Sequence, residues 1–305
     1  YVVDIISDDD GFKNISGKKR GSLQSSKAFR WGSLILDAVK NLNVKYDLTI
    51  FLSPFVFKFP LFLNDFFYST LISKSKKTVL LACTSDSVWC RDYPICHSRS
   101  SHLGHLEDNN WKPHRFYKDK YYKSNMNLIG MMDSVFALAS EFQMAYQKTL
   151  PNIKLLHFPY EAEENFSLTE SRKYAYHGIT RRGFKGTRYI INFMEAFHDS
   201  DLEILITERI SFSKFKENLL KSHIYFDQMS SRMPAMSSLN ALNFVPYVVT
   251  GIQRNVDGSH KEYFDDCPAF DLINDVELIM EVKSSTCDYD EVIAKNIEFL
   301  KKYHD

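Results

Sequence analysis

The stretch "KYAYHGITRRGFKGTRYIINFMEAFHDSDLEILITE", residues 173–208, decides the fold. A short apolar run, "YAYHGI", meets a turn with two glycines. Helical spacing follows through "GTRYIINFMEAFHD", and then a second apolar run, "LEILITE". Strand, helix and strand in that order make a βαβ unit with parallel strands. The turn holds Arg181, Arg182 and Lys185 at a helix start, where the macrodipole disfavours positive charge. Two readings are open. The turn is a solvated basic surface, or it seats an anion. In the second, Arg182 and Lys185 converge on the ligand, Thr187 caps the next helix and the helix amides add positive potential. Two cations with free amides suit a phosphate or diphosphate better than a single carboxylate.

The same grammar extends in both directions. Downstream, "SFSKFKENLLKS" reads as a helix capped by Ser211, and "HIYFDQ" as a strand. "SSLNALNF" is a short helix, "VPYVVTG" a strand and "CDYDEVIAKNIEFLKKYHD" a closing helix. Upstream, "YVVDIIS" (1–7), "YDLTIFLSP" (46–54) and "KTVLLACTSD" (77–86) are apolar, buried-type strands, and 8–22 is a polar loop. Helices are expected at 33–42 and after Pro60. Residues 87–125 read as a long irregular loop, and 128–151 as helix, strand and helix. The polar stretch 161–173 reads as a linker. The expected organisation is α/β throughout, with two Rossmann-like doubly wound domains at 1–160 and 161–287 and a C-terminal helix at 288–305. A ligand is expected in the cleft between them, at strand carboxyl ends.

A second stretch, "HIYFDQMSSRMPAMSSLNALNFVPYVVTG" (223–251), repeats the logic of the first. A strand ends at Asp227 and Gln228, a loop passes Pro234, and the amides of Met236, Ser237 and Ser238 open a helix able to hold phosphate oxygens.

The composition sets limits. The chain has 305 residues, enough for two domains, with 38 Lys plus Arg against 38 Asp plus Glu. Zero net charge argues against a nucleic-acid binder and makes any anion site local. Five cysteines form a sparse, odd set, as in a reducing cytoplasm. No signal peptide or apolar run long enough to span a membrane is present. Cys90, Cys96, His97, His102 and His105 lie close in sequence but lack the paired spacing of zinc ligands, so no metal is expected. "FVFKFPLFLNDFF" (55–67) reads either as a strand end with a core-facing helix or as a peripheral membrane contact.

With both turns in hand, the sequence resembles the GT-B-fold glycosyltransferases of the family-4 (group 1) type. The resemblance is closest to a bacterial branch whose pattern matches "DQMSSRMPAMSSLNALNFVPYVVTG", "KGT" (185–187), "ITERISFSKFKENL" (206–219) and the terminal "IEFLKKYHD". It implies a cytoplasmic, retaining glycosyltransferase, with a peripheral position at the inner face of the membrane as an option. Its sugar would come from a nucleoside diphosphate donor and go to a glycan or lipid-linked acceptor in surface-polysaccharide synthesis, without a cofactor. By position, Arg182 and Lys185 would bind the donor diphosphate, and the amides of Met236, Ser237 and Ser238 its distal phosphate. Asp227 and Gln228 would line the pocket behind. Asp86, in "TSDSVWCRD", would contact the acceptor as the catalytic carboxylate; the local alternative is an Asx-turn.

The pattern departs from the family at two points. Arg232 and Asn240 stand where most members carry two glutamates. Asn240 can still bond a donor hydroxyl, whereas Arg232 cannot accept a bond. Tyr1 reads as the second strand of such a domain, so an upstream element is expected. The rival from another class is a non-catalytic paralogue that binds a sugar nucleotide or a partner enzyme.

Overall fold

The computed structural model describes residues 6–7, 18–19, 44–54, 60–93, 101–112, 114–163, 172–252, 254, 260–283 and 288–305. The expected helix at 33–42, most of the strand at 1–7 and the loop at 8–22, and the linker core at 164–171 lie outside them. Ile6–Ser7 (β1) and Lys18–Lys19 (β2) pair in parallel.

The chain divides into two compact units, 1–93 with 113–156, and 94–112 with 157–305. The first holds the strands Tyr46–Phe51 (β3), Ser75–Ala82 (β4), Ser134–Ala137 (β5) and Lys154–Leu155 (β6). They form one parallel sheet in the order β3-β4-β5-β6. Its helices are Leu61–Ser73 (α1), Ser87–Asp92 (α2), Asp119–Gly130 (α4) and Ser140–Tyr146 (α5). Leu80, Ala82 and Ala137 of the sheet are buried, as are Trp89, Leu128 and Tyr146 of the helices. β3 corrects the expectation of a buried strand. Among the described residues it lies at the edge of the sheet, and Leu48 and Ile50 are exposed. On α1, Asn64, Phe67, Tyr68 and Leu71 are buried, while Phe62 and Phe66 stay 70% and 61% exposed.

The expected long loop at 87–125 is also corrected. It carries α2, Ser101–Asp108 (α3), a 3-10 turn at Arg115–Tyr117 and the start of α4. Its aromatic residues work in cores: Trp89 stacks on Tyr93 with ring centroids 5.8 Å apart. Residues 101–112, with α3, group with the second unit.

The second unit holds Tyr174–Ile179 (β7), Glu203–Glu208 (β8), Ser222–Phe226 (β9), Tyr247–Thr250 (β10) and Phe270–Asp271 (β11). All pairs are parallel, in the order β11-β10-β9-β7-β8. Every residue of β9 and β10 is buried, as parallel strands covered on both faces require. The helices are Arg182–Lys185 (α6), Thr187–Met194 (α7), Phe212–Leu220 (α8), Met236–Phe244 (α9), Lys261–Asp266 (α10), Val276–Val282 (α11) and Tyr289–His304 (α12). Thr187, Ile190 and Met194 face inward from α7, one helical stripe. Ser211 caps α8 as expected, accepting from the Lys214 amide. Asp288 caps α12, whose first turn is acidic and last turn basic, in line with its macrodipole. α12 belongs to this unit: Asn296 donates to the carbonyls of Val245 and Pro246, and the Tyr160 amide donates to the His304 carbonyl. α6, α10, β11 and α11 had no expectation.

The connectivity singles out one place in the sheet. From β7 the chain builds first to one side, with β8, and then to the other, with β9, β10 and β11. The carboxyl ends of β7 and β9 flank this reversal, where open α/β sheets leave a crevice for ligands. The turns that follow those two strands are the basic stretch at 181–187 and the amide-rich stretch at 228–238.

Candidate functional site

The three cations of the first turn do not converge. Each meets a different carboxylate of the second unit. Arg182 Nη2 lies 2.6 Å from Glu208 Oε2 at the end of the neighbouring strand β8, on the surface. Arg181 lies over the Phe184 ring at 4.0 Å and adds its charge beside Asp108. The Asp108 carboxylate accepts from the Gly183 amide at 2.7 Å and the Phe184 amide at 2.9 Å. An anion therefore does sit on this turn, and α3 supplies it. Gly104 and Gly183 let the two backbones touch. A Cβ at Gly104 would fall 2.4 Å from the Gly183 carbonyl oxygen.

Lys185 turns inward and is only 4% exposed. Its ammonium is bonded to Asp227 Oδ1 and lies 3.3 Å from Ser237 Oγ in the first turn of α9. Asp227, 1% exposed, also accepts from Ser238 Oγ through Oδ2 and from the Tyr225 hydroxyl at 3.4 Å through Oδ1. Ser238 Oγ lies 3.2 Å from Thr250 Oγ1, and Thr250 donates to the Gln228 carbonyl at 3.3 Å. Backbone bonds stitch the two turns together, from the Met229 amide to the Lys185 carbonyl and from the Gly251 amide to the Gln228 carbonyl.

Gly186 closes α6 with φ of 68°, the left-handed region that glycine enters without strain, and starts α7. Thr187 is not the cap expected of it. Its hydroxyl lies 3.0 Å from His177 Nε2 beneath the turn. His177 Nδ1 lies 2.8 Å from the Phe226 carbonyl, so Nδ1 donates and Nε2 accepts from Thr187. Burial, with Lys185 and Arg182 nearby, pushes the imidazole down to about 4, so it is neutral at pH 7. His177 thus ties β7, β9 and the start of α7 together under the turn.

α9 begins as expected at Met236, and no side chain caps it. Met236 is exposed, and Ser237 and Asn240 are half-buried. Asn240 donates to the Met236 carbonyl at 2.6 Å. Gln228 and Arg232 are buried, so neither presents its side chain openly.

Asp86 is in the first unit and is buried. It is the N-cap of α2, accepting from the Trp89 amide at 2.9 Å and from the Tyr146 hydroxyl at 2.5 Å. That geometry is the capping alternative, and it leaves no surface for an acceptor. Burial pushes the carboxyl up from 3.8 to about 6, against the bonds from Tyr146 and Trp89. Between those values the folded protein holds a proton that the unfolded chain has lost. Asp86 therefore makes stability fall as pH rises from about 4 to about 6, by roughly 3 kcal/mol in total. Asp86→Asn should flatten this part of the profile, measured as the wild-type minus variant difference in urea unfolding from pH 4 to 7.

Among the described residues no group of three or more His, Cys, Asp or Glu could hold a metal. Cys96 and His97 lie outside them, and Cys90 and His105 belong to different units. Cys83, Cys90 and Cys267 are free thiols. No helix among the described residues is long and apolar enough to cross a membrane.

Asp108, Glu208, Thr250 and His177 are site residues that the sequence did not point to. Glu208 had a usable signal, an acid ending the strand beside a basic turn. Asp108 had none, because 75 residues separate it from Gly183.

No protein-family model matches the chain, and no curated protein matches its sequence.

Proposed function

We propose that the chain is a GT-B glycosyltransferase that takes its sugar from a nucleoside diphosphate donor, with the donor site at the carboxyl ends of β7 and β9. One observation carries the reading. At the point where the strand order reverses, the uncapped N-terminus of α9 and the Lys185 ammonium come within one hydrogen bond of each other. Helix amides and a lysine are what a diphosphate requires. In the reaction they would stabilise the leaving diphosphate, where charge grows as the sugar departs. Arg182, on the surface beside them, would add a second cation on leaving Glu208. Asn240 would meet a donor hydroxyl. Retention of configuration, a glycan or lipid-linked acceptor and a cytoplasmic setting belong to the same proposal. Phe62 and Phe66 of α1 are the residues that would touch lipid.

The non-catalytic rival keeps one supporting observation. Asp86 is buried as a helix cap, which leaves no candidate catalytic carboxylate open to an acceptor.

A thermal-shift series with UDP-, GDP- and ADP-sugars tests the site. A ligand at a hundredfold its Kd stabilises by about 2.7 kcal/mol, a rise of several degrees for domains of this size. The expected result is a rise with one nucleotide family that is lost in Lys185→Ala, each protein compared with its own ligand-free midpoint. No rise with any of them sinks the donor-site reading. A rise without sugar transfer or donor hydrolysis moves the conclusion to the non-catalytic rival.

A further inference from the structure

We propose that His157, His260 and His304 form an acid-released clasp, which holds the end of α12 against residues 157–160 at neutral pH and opens as the pH falls. The clasp lies within the second unit and does not depend on the donor-site reading. Three segments distant in sequence bring the imidazoles together. His157 opens the long segment of the unit, His260 precedes α10, and His304 is in the last turn of α12. The His157 ring lies 6.2 Å from that of His260 and 5.7 Å from that of His304, centroid to centroid, and packs edge-on against Tyr263 at 4.2 Å. His304, 4% exposed, is the fastening. Its Nδ1 donates to the Phe158 carbonyl at 2.7 Å, its Nε2 accepts from the Tyr263 hydroxyl at 3.2 Å, and its own carbonyl accepts from the Tyr160 amide at 2.8 Å.

These contacts hold while the rings are neutral. A proton on His304 Nε2 puts an N–H where the Tyr263 hydroxyl already donates. A proton on His157 sets a cation beside two further imidazoles. The acids of α10 are engaged elsewhere: Glu262 and Asp266 hold Lys302, Asp266 also accepts from Tyr303, and Asp265 holds Lys261. Near the end of α12, Glu298, Lys301 and Asp305 are exposed. Residues 157–160 carry no other charge, and neither does α9, on which α12 packs. Burial, then the two neighbouring histidines, hold His157 down at about 4 against its bond to the Tyr303 backbone. Burial lowers His260 and His304 as well. All three lie below the ordinary 6.5, so the opened chain binds more protons than the closed one. The clasp is therefore fully held above pH 6.5 and weakens as the pH falls toward 4. Opening stays local because α12 is anchored further back, by the bonds from Asn296 to Val245 and Pro246 and by the buried Ile293.

Hydrogen exchange by mass spectrometry at about pH 7 and about pH 5, corrected for intrinsic exchange rates, tests the clasp. Peptides over 157–160 and the last turn of α12 report it, and β9, whose every residue is buried, is the reference. The expected result is a loss of protection in the clasp peptides of about tenfold or more that β9 does not share. Asp86 does not mimic it, since that carboxyl lies in the first unit and acts with the opposite sign. An equal loss in β9 means that the buried His177 and His223 loosen the whole unit, and it overturns the clasp. So does unchanged protection over 157–160. His157→Gln and His260→Gln should each shrink the loss, whereas His198→Gln, at an exposed position, should leave it as in wild type. A full loss in both clasp variants assigns the effect to other groups and overturns the proposal. His260 is half-buried, so its variant decides if His157→Gln does not fold.

Discussion

Asp227→Ala should destabilise the protein by about 3–5 kcal/mol, the largest effect of any single charge removal in the second unit. The size follows from burial. Lys185 is 4% and Asp227 1% exposed, so neither charge keeps its water. Deleting the carboxylate leaves the Lys185 ammonium buried with Ser237 Oγ at 3.3 Å. Lys185→Ala should cost about as much, because it strands Asp227 instead. The double variant Lys185→Met/Asp227→Leu removes both charges. It should recover most of the loss, since a well-packed apolar pair often replaces a buried ion pair at no net cost. Urea unfolding of the four proteins makes the comparison. If each single variant loses under about 1 kcal/mol, as exposed pairs do, the pair is hydrated in solution and the inward Lys185 geometry is wrong. The contrast lies in the same turn. The surface pair Arg182–Glu208 stays hydrated, so breaking it should cost far less than breaking the buried pair.

Gly251→Ala should be nearly as damaging, costing about 3 kcal/mol or more, at the upper end of overpacking effects. A Cβ there would fall 2.1 Å from the Ser231 carbonyl oxygen and 2.6 Å from that of Met229. Both are backbone atoms, so no side chain can swing aside to make room. The loop from Gln228 to Ser231 would have to move, and it carries the bonds to Lys185 and Gly251. The result expected is a lower unfolding midpoint together with loss of any nucleotide-induced rise. Gly130→Ala is the control, since nothing lies within 4 Å of its added Cβ. It should be neutral or slightly stabilising, because alanine is the better helix former. Equal midpoints for the two variants would refute the close approach at Gly251.

Much of the second unit is legible in the sequence because its signals are local. The run from β7 to β10 follows apolar runs and glycine turns within a few residues of each other, and Ser211 announces α8. The two strand ends followed by helix starts read the same way, and they mark Lys185, Asp227, Ser237 and Ser238 by position along the chain alone. Residues 87–125 mislead because their aromatic and polar residues show no clean helical stripe. Trp89 and Tyr93 stack on each other, and Asp86 is spent on capping α2. β3 misleads in the opposite way. Its apolar alternation reads as burial, but its place at the sheet edge leaves Leu48 and Ile50 exposed.

The sequence by itself determined the α/β class, the parallel strands and the positions of the two turns that follow β7 and β9, because periodicity, glycine and helix starts act over a few residues. Tertiary structure alone decided what those turns hold. Asp108 lies 75 residues from Gly183 and Asp227 42 from Lys185, so each carboxylate reaches its partner only after the chain has folded. A charge in a sequence states what it can bind. Which partner it takes depends on burial, which removes the water that would otherwise compete for it.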